Sequence, residues 1–266
     1  MKKILGMGNA LTDILVQLDD DKHLENLNLP KGSMQLVDEV QNAKVQEYIH
    51  TMPKQMIAGG SASNTMRGIA CLGGDASFVG MVGNDSIAKV FETELKETGV
   101  DAKLFSTNVP SGTATTFISA DGERTFATHL GAAIGMTADI LTPEIFKGYD
   151  IFHIEGYLVQ NHDLIRKAIH TAKFHGLKIS LDLASYNVVE ENLDFLRSIV
   201  ESYVDILFAN EEEALAFTSK QPEEALDEIA AMCEYAIVKV GKKAAITPTA
   251  LFLRASPAVS GSNPKL

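Results

Sequence analysis

The sequence predicts an α/β protein: a mostly parallel sheet covered on both faces by helices, with a second, small β-sheet apart from it. Three observations carry that reading. From Ile151 onward, short apolar runs alternate with helical periods. Strands are expected at Ile151–Tyr157, Leu177–Leu183, Asp205–Ala209 and Tyr235–Val240, with helices between them at His162–His175, Asn192–Glu201 and Pro222–Cys233. That alternation is the pattern of βαβ units. Second, between Val100 and His129 the period drops to two, and Thr113–Ser119 and Arg124–Thr128 flank Asp121-Gly122, a hairpin signal. Third, short alternating runs at Ile14–Leu18 and Ser33–Val37 supply further strands for the small sheet.

Taken in order, Lys3 to Met7 reads as a first buried strand ended by Gly8-Asn9. Gly6-x-Gly8 is not a dinucleotide fingerprint, because Leu11 stands at the third glycine and no helical period follows. Asp13 lies just past a strand end. A carboxylate there can accept from two adjacent hydroxyls, which suits a diol, and a solvated turn Asp is the plainer alternative. Asp19-Asp20-Asp21 reads as a solvated loop. Asp38 caps a helix through about Met52, with Ala43, Val45, Tyr48, Ile49 and Met52 toward one face.

Gly59-Gly60-Ser61 reads as a tight turn feeding a helix, with Ser61 as N-cap. Ala62, Thr65, Ile69, Ala70 and Leu72 supply its face, Gly73 ends it, and Ala76 to Val82 follows as a buried strand. Such a turn exposes backbone N–H groups, and Asn64 sits in the first helical turn. Together they offer a hydrogen-bonding floor for a polyhydroxyl ligand or an anion. Ile87, Val90, Phe91 and Leu95 make another helix, ended by Gly99. In the second half, Glu155-Gly156, Asp182, Asn210 and Lys239–Gly241 fall at or near strand carboxyl ends, where ligands sit in parallel sheets.

At 266 residues, 45% hydrophobic and 22% charged, the chain can bury one large core with a small appendage. A net charge of −12 argues against nucleic acid or an anionic membrane as main partner. It leaves ATP open, because phosphate sites are local. Cys71 and Cys233 both lie in apolar helical patterns, which suggests a reducing compartment. Asn9, Thr12 and Asp13 interrupt the N-terminal apolar run too early for a signal peptide, and no run approaches the roughly 18 apolar residues of a membrane span. A cytoplasmic location is expected. The seven histidines are scattered and carry no assigned role, and no P-loop is present.

Ala58-Gly59-Gly60-Ser61-x-x-Asn64, Leu72-Gly73-Gly74 and Phe78-Val79-Gly80-x-Val82-Gly83-x-Asp85 together resemble the first signature of the ribokinase/PfkB family of sugar and nucleoside kinases. The resemblance implies a ribokinase-like three-layer αβα sandwich whose small sheet is a lid over the sugar, excluding water that would compete as phosphoryl acceptor. It implies that Gly59, Gly60 and Asn64 grip the acceptor's hydroxyls. Gly8-Asn9-x-Leu11-x-Asp13-Ile14 resembles the N-terminus of adenosine-kinase-like members, which adds Asn9 and Asp13 as ribose contacts. Asn210-Glu211-Glu212-Glu213 resembles the family's Asn-x-x-Glu motif, which organises Mg²⁺ and its waters around the ATP phosphates. Acids in a first helical turn are, taken alone, often dipole compensation. Val238-Lys239-Val240-Gly241 resembles the strand that walls the nucleotide site. ATP and Mg²⁺ are therefore the implied cofactors, with Asn210, Glu213, Lys239 and Gly241 around them and Glu213 reaching the metal through water. The family's lid is also a common dimer surface, so a homodimer is implied.

The resemblance runs from Met1 to about Lys243. The family's Gly-Ala-Gly-Asp sequence, source of its anion hole and catalytic base, does not occur; Gly131-Ala132 is followed by Ala133. No catalytic residue is therefore assigned. The expected organisation is an incomplete kinase domain over 1–243, with lid strands from about 14–37 and 103–129, and an aberrant, disordered tail over 244–266. The expected origin of that tail is a reading-frame slip after Lys243, since one restored G before the Ala244-Ala245-Ile246 codons would open the other frame on Gly. The expected function is ATP-dependent transfer to a hydroxyl of a sugar or nucleoside, with this chain inactive as it stands. Adenosine or another ribosyl compound is favoured, then fructose or ribose. The alternative is a non-enzymatic sugar- or nucleoside-binding regulatory protein.

Overall fold

The structure, a computed structural model, describes residues 2–241 and 245–247. Its chain forms two compact units, Met1–Asp150 and a second beginning at Ile151. In the first, the elements in order are β1 (Lys3–Met7), β2 (Leu11–Gln17), α1 (Lys22–Asn26), β3 (Met34–Leu36), α2 (Glu39–Tyr48), β4 (Lys54–Ala58), α3 (Ser61–Cys71), β5 (Asp75–Gly83), α4 (Ser86–Glu97), β6 (Asp101–Thr107), β7 (Gly112–Ile118), β8 (Arg124–His129) and α5 (Pro143–Phe146). β5 pairs in parallel with β1, from Lys3↔Asp75 to Met7↔Val79, and with β6, from Ser77↔Asp101 to Gly83↔Thr107. A separate mixed sheet has the order β3-β8-β7-β2-β4.

β5 is buried along its whole length past Asp75, which is why its sequence is a continuous apolar and glycine run rather than an alternating one. α3 and α4 cover it, with Met66, Phe78, Phe91 and Leu95 in one cluster. The small sheet has its own core, in which Ile14, Val16, Phe117 and Ala127 meet Val45 of α2 and Ile49 just past its end. The hairpin turn expected at Asp121-Gly122 is present, with Gly122 at φ 86°.

Several expectations shift. β6, read by its period as part of the small sheet, belongs to the parallel sheet, so the lid strands after residue 100 begin at Gly112. Its half-buried edge position mimics alternation. β4 was not foreseen, because Lys54 and Gln55, both exposed, break the apolar pattern at a sheet edge. On α3 the cap is Gly60, not Ser61, and Ala62, Ser63 and Met66 are the buried residues while Thr65 and Leu72 face out. Gly73 and Gly74 close that helix by donating to Ala70 and Ile69, with Gly73 at φ 83°. Asp38 caps α2 as expected, accepting from the Gln41 N–H, though the helix stops at Tyr48. Cys71 is exposed and Cys233 buried.

The second unit runs β9 (Ile151–Glu155), α6 (His162–Phe174), β10 (Lys178–Asp182), α7 (Tyr186–Glu191), α8 (Leu193–Tyr203), β11 (Val204–Asn210), α9 (Glu211–Thr218), α10 (Pro222–Ala230), β12 (Tyr235–Lys239) and β13 (Ala245–Ile246). β9 to β12 are parallel neighbours in sequence order, and β13 joins β12 antiparallel through Val238↔Ile246 and Lys239↔Ala245. The tail expected to lack structure from residue 244 thus opens on a strand at 245–246. Its remainder, 248–266, lies outside the described residues, as does the expected frame slip. Among the described residues no helix is long and apolar enough to cross a membrane.

His153 in β9 is a core residue: Nδ1 bonds the Ser180 hydroxyl at 3.0 Å and the ring meets Phe208 edge-on. Burial pushes its pKa down to about 4, against a smaller upward pull from Asp182. The unfolded chain, near 6.5, binds the proton first, so the stability this ring carries is full above pH 6.5 and lost as pH falls toward 4. His153→Gln is expected to lose less stability than the parent between pH 7 and 4.5. Equal losses in urea unfolding at the two pH values would show that the ring is not held neutral.

Candidate functional site

In the first unit the site is built where the chain passes between its two sheets. β1 ends at Met7 and Gly8–Ala10 leads into β2; β4 ends at Ala58 and Gly59-Gly60 leads into α3. The two crossings lie against each other. Gly59 donates its N–H to Leu11 O at 2.8 Å. A side chain on Gly60 would overlap the Asn9 carbonyl oxygen, and one on Gly59 would overlap the Asp13 carboxylate. Gly60 adopts φ 85°, ψ 144°, a conformation nearly closed to residues with a Cβ. Asn9 is buried and Asp13 half-buried; burial raises the Asp13 carboxyl above the usual carboxylate range, with the Arg67 guanidinium offsetting part of the rise.

Asn64, exposed in the first turn of α3, donates its backbone N–H to Gly60 O, and its Oδ1 accepts weakly from Arg67 at 3.4 Å. Arg67 also donates to Ala58 O at 2.7 Å. It thus stands beside both Asn64 and Asp13, and sequence reasoning missed it. The available signal was its spacing, three residues beyond Asn64 on one helix face.

Strand register extends the site across the small sheet. Residues opposite one another share a face. Ile57, Asp13, Ala114, Thr128 and Leu36 form one row, and Gln55, Leu15, Thr116, Phe126 and Met34 the next on the same side. Asp13 is the one ionisable group in these two rows. Its direct row neighbours, Ile57 and Ala114, are apolar, and Met34 and Leu36 are 60% and 67% exposed.

In the second unit, carboxylates collect at the carboxyl ends of adjacent strands. Asp182 pairs in register with Glu155, and Asn210 with Lys239. Lys239 reaches Asp182 at 3.1 Å. Asn210 and Glu213 form a reciprocal capping box: Glu213 accepts from the Asn210 N–H at 2.8 Å and Nδ2 at 2.7 Å, while Asn210 Oδ1 accepts from the Glu213 N–H at 2.8 Å. Glu213 is 2% exposed, and burial lifts its pKa, with Asp182 adding and the Asn210 N–H opposing. Tyr157, unforeseen as a site residue, has its phenol pKa raised by burial, then by Glu155, Glu213 and Asp182. Gly241 follows β12 at φ 54°, and a Cβ there would contact Glu211 Oε2 at 3.9 Å.

These residues fit Mg²⁺ in one way only. Among the described residues no three His, Cys, Asp or Glu side chains gather as a direct ligand set. Glu213 and Asp182 are nevertheless hard oxygen donors, and both lie within reach of the Lys239 charge. Those carboxylates would suit a hard cation held through water rather than directly.

Residues 33–252 match the pfkB family carbohydrate kinase model. The chain is 28% identical over 230 residues to the guanosine-inosine kinase of Escherichia coli strain K12, covering 82% of this chain and 53% of that one. It is 28% identical over 253 residues to the adenosine kinase of Schizophyllum commune, covering 87% and 69%. The chain therefore spans about half the length of the curated relative matched first. Among solved structures, the adenosine kinase from Sinorhizobium meliloti superposes with TM-score 0.78 at 30% identity, covering 92% of this chain and 76% of that one. The likeness shows a three-layer α/β fold with a mostly parallel sheet and a smaller mixed sheet.

Proposed function

Since the chain belongs to the pfkB family of carbohydrate kinases, we propose that it binds a nucleoside as phosphoryl acceptor, with ATP as donor and Mg²⁺ held at the second unit's carboxylates. The observation that carries the acceptor is the Asp13 row. One carboxylate, backed by Gly59 and beside Asn9, suits the vicinal hydroxyls of a ribose. The apolar positions on the same face, Leu15, Ile57, Ala114 and Phe126, suit a flat base more than a free sugar. The similarity to guanosine-inosine and adenosine kinases supports the same class.

On the donor side, Asn210, Glu213, Lys239 and Gly241 would line the nucleotide, and Glu213 would hold the ion through water. The ion would neutralise charge on the phosphates during transfer. Lys239 offers a further positive charge, now spent on Asp182.

Titrating the chain with adenosine, guanosine, inosine, ribose and fructose tests the acceptor. Nucleosides are expected to bind at least about tenfold more tightly than free ribose or fructose, since the base adds apolar burial. A free sugar outranking every nucleoside would overturn the reading. The second reading is binding without transfer. Turnover at ordinary kinase rates, about 1–100 s⁻¹, in the parallel MgATP assay would reject it.

A further inference from the structure

We infer that Asp85 is a positioning residue of the acceptor site: its carboxylate holds the start of β7 against the turn after β5, and through that strand sets where Asn9 to Asp13 lie. The inference rests on the nucleoside reading for the identity of the ligand, and on geometry alone for the bracket.

Asp85 has two jobs, and helix capping needs only the first. Oδ1 caps α4, accepting the Ala88 N–H at 2.9 Å. The same carboxylate also takes both donors of Ser111, the hydroxyl on Oδ1 at 2.7 Å and the backbone N–H on Oδ2 at 2.8 Å. Ser111 Oγ in turn accepts the Gly83 N–H at 2.9 Å, inside a buried crossing. Beside that hydroxyl the two chain segments come into direct backbone contact at Gly83. A Cβ on Gly83 would come within 2.6 Å of Val109 O and 2.7 Å of Ser111 N.

The next residue carries the constraint to the acceptor site. Gly112 opens β7, and a Cβ there would lie 2.5 Å from Leu11 Cδ2, 2.6 Å from Leu130 O and 3.3 Å from Ala10 O. Leu11 pairs with Gly112 and Asp13 with Ala114. The far side is closed as well, because Ala132 donates to Pro110 O at 2.8 Å. Residues 110–112 are therefore fixed between the Asp85 turn, residues 131–132 and the Asn9–Asp13 crossing. Such close-packed backbone transmits a shift rather than absorbing it.

Asp85→Asn separates the two jobs. Its Oδ1 still caps α4, while its amide N–H₂ faces the Ser111 N–H, donor against donor. Adenosine affinity is expected to fall about tenfold, or about 1.4 kcal/mol. Amide hydrogen exchange is expected to quicken at residues 10–13 and 111–114 and to stay unchanged in the second unit. Ser111→Ala should do the same, and the double variant no more than either single one, because both break one unit. Asn161→Ala, which removes the α6 cap bond to the Leu164 N–H, controls for stability: it lowers the melting temperature and leaves affinity alone. Exchange at 10–13 that stays at parent rates in Asp85→Asn would overturn the bracket, as would an equal affinity loss in Asn161→Ala. A parent chain that binds no adenosine would defeat the nucleoside reading instead, and the exchange at 10–13 alone would then decide the bracket.

Discussion

Gly60→Ala is expected to be the most damaging single substitution in the first unit, lowering its stability by roughly 3 kcal/mol or more and removing nucleoside binding. Two independent costs add. The backbone at φ 85°, ψ 144° is one that residues with a Cβ populate only under strain. The new methyl would also overlap the Asn9 carbonyl oxygen, a backbone atom that cannot swing aside as a side chain can. Relief requires parting the two crossings, which also breaks the Gly59 to Leu11 hydrogen bond. Urea unfolding with adenosine titration checks both effects. Gly73→Ala is the comparison, since Gly73 has φ 83° but open space around it. It should show the backbone strain and spare the ligand. Parent-like affinity in Gly60→Ala would mean that the turn does not form the floor of the site.

That the turn and helix at Gly59–Gly73 were legible from the sequence follows from glycine. A residue forced into positive φ or into backbone contact leaves a mark that no packing partner can erase. The parallel strands of the second unit were legible for a related reason, since burial on both faces makes a continuous apolar run. Edge strands leave neither mark. β4 and β6 each have a free side, so β4 read as loop and β6 as part of the small sheet. Among site residues, Asp13 reads from the sequence as a carboxylate just past a strand end, whereas it lies inside β2, between Thr12 and Ile14. Glu213 could be singled out because a carboxylate in the first turn after a strand is conspicuous. Arg67 could not, because its worth depends on how close β2 comes to α3, a contact between segments some fifty residues apart in a sequence that records no such distance. The role of Glu213 is likewise only half legible: the three-residue spacing to Asn210 serves a capping box and a water-held ion equally, and the box is what the side chains form.

Asp13→Ala is expected to weaken adenosine binding by about 1.5–3 kcal/mol, roughly 10- to 150-fold, the range for hydrogen bonds to a charged group. The fold should not suffer with it. Burial raises the Asp13 carboxyl, so ionising it costs more in the folded chain than in the unfolded one. Whatever stability the group carries is present at low pH and lost as pH rises through the raised folded pKa, above which the half-buried carboxylate carries a desolvation cost. Removing it therefore leaves stability at pH 7 unchanged or higher while binding falls, the pattern of a residue kept for its ligand rather than for packing. Gly59→Ala should reproduce the binding loss by a different route, since its methyl meets the Asp13 carboxylate, a side chain that can rotate away and take its hydrogen bonds with it. The decisive comparison uses 2′-deoxyadenosine. If the carboxylate accepts from both ribose hydroxyls, the parent chain loses affinity on deletion of one of them and Asp13→Ala does not, a coupling that a double-mutant cycle reads directly. Equal losses in parent and variant would place the ribose away from Asp13.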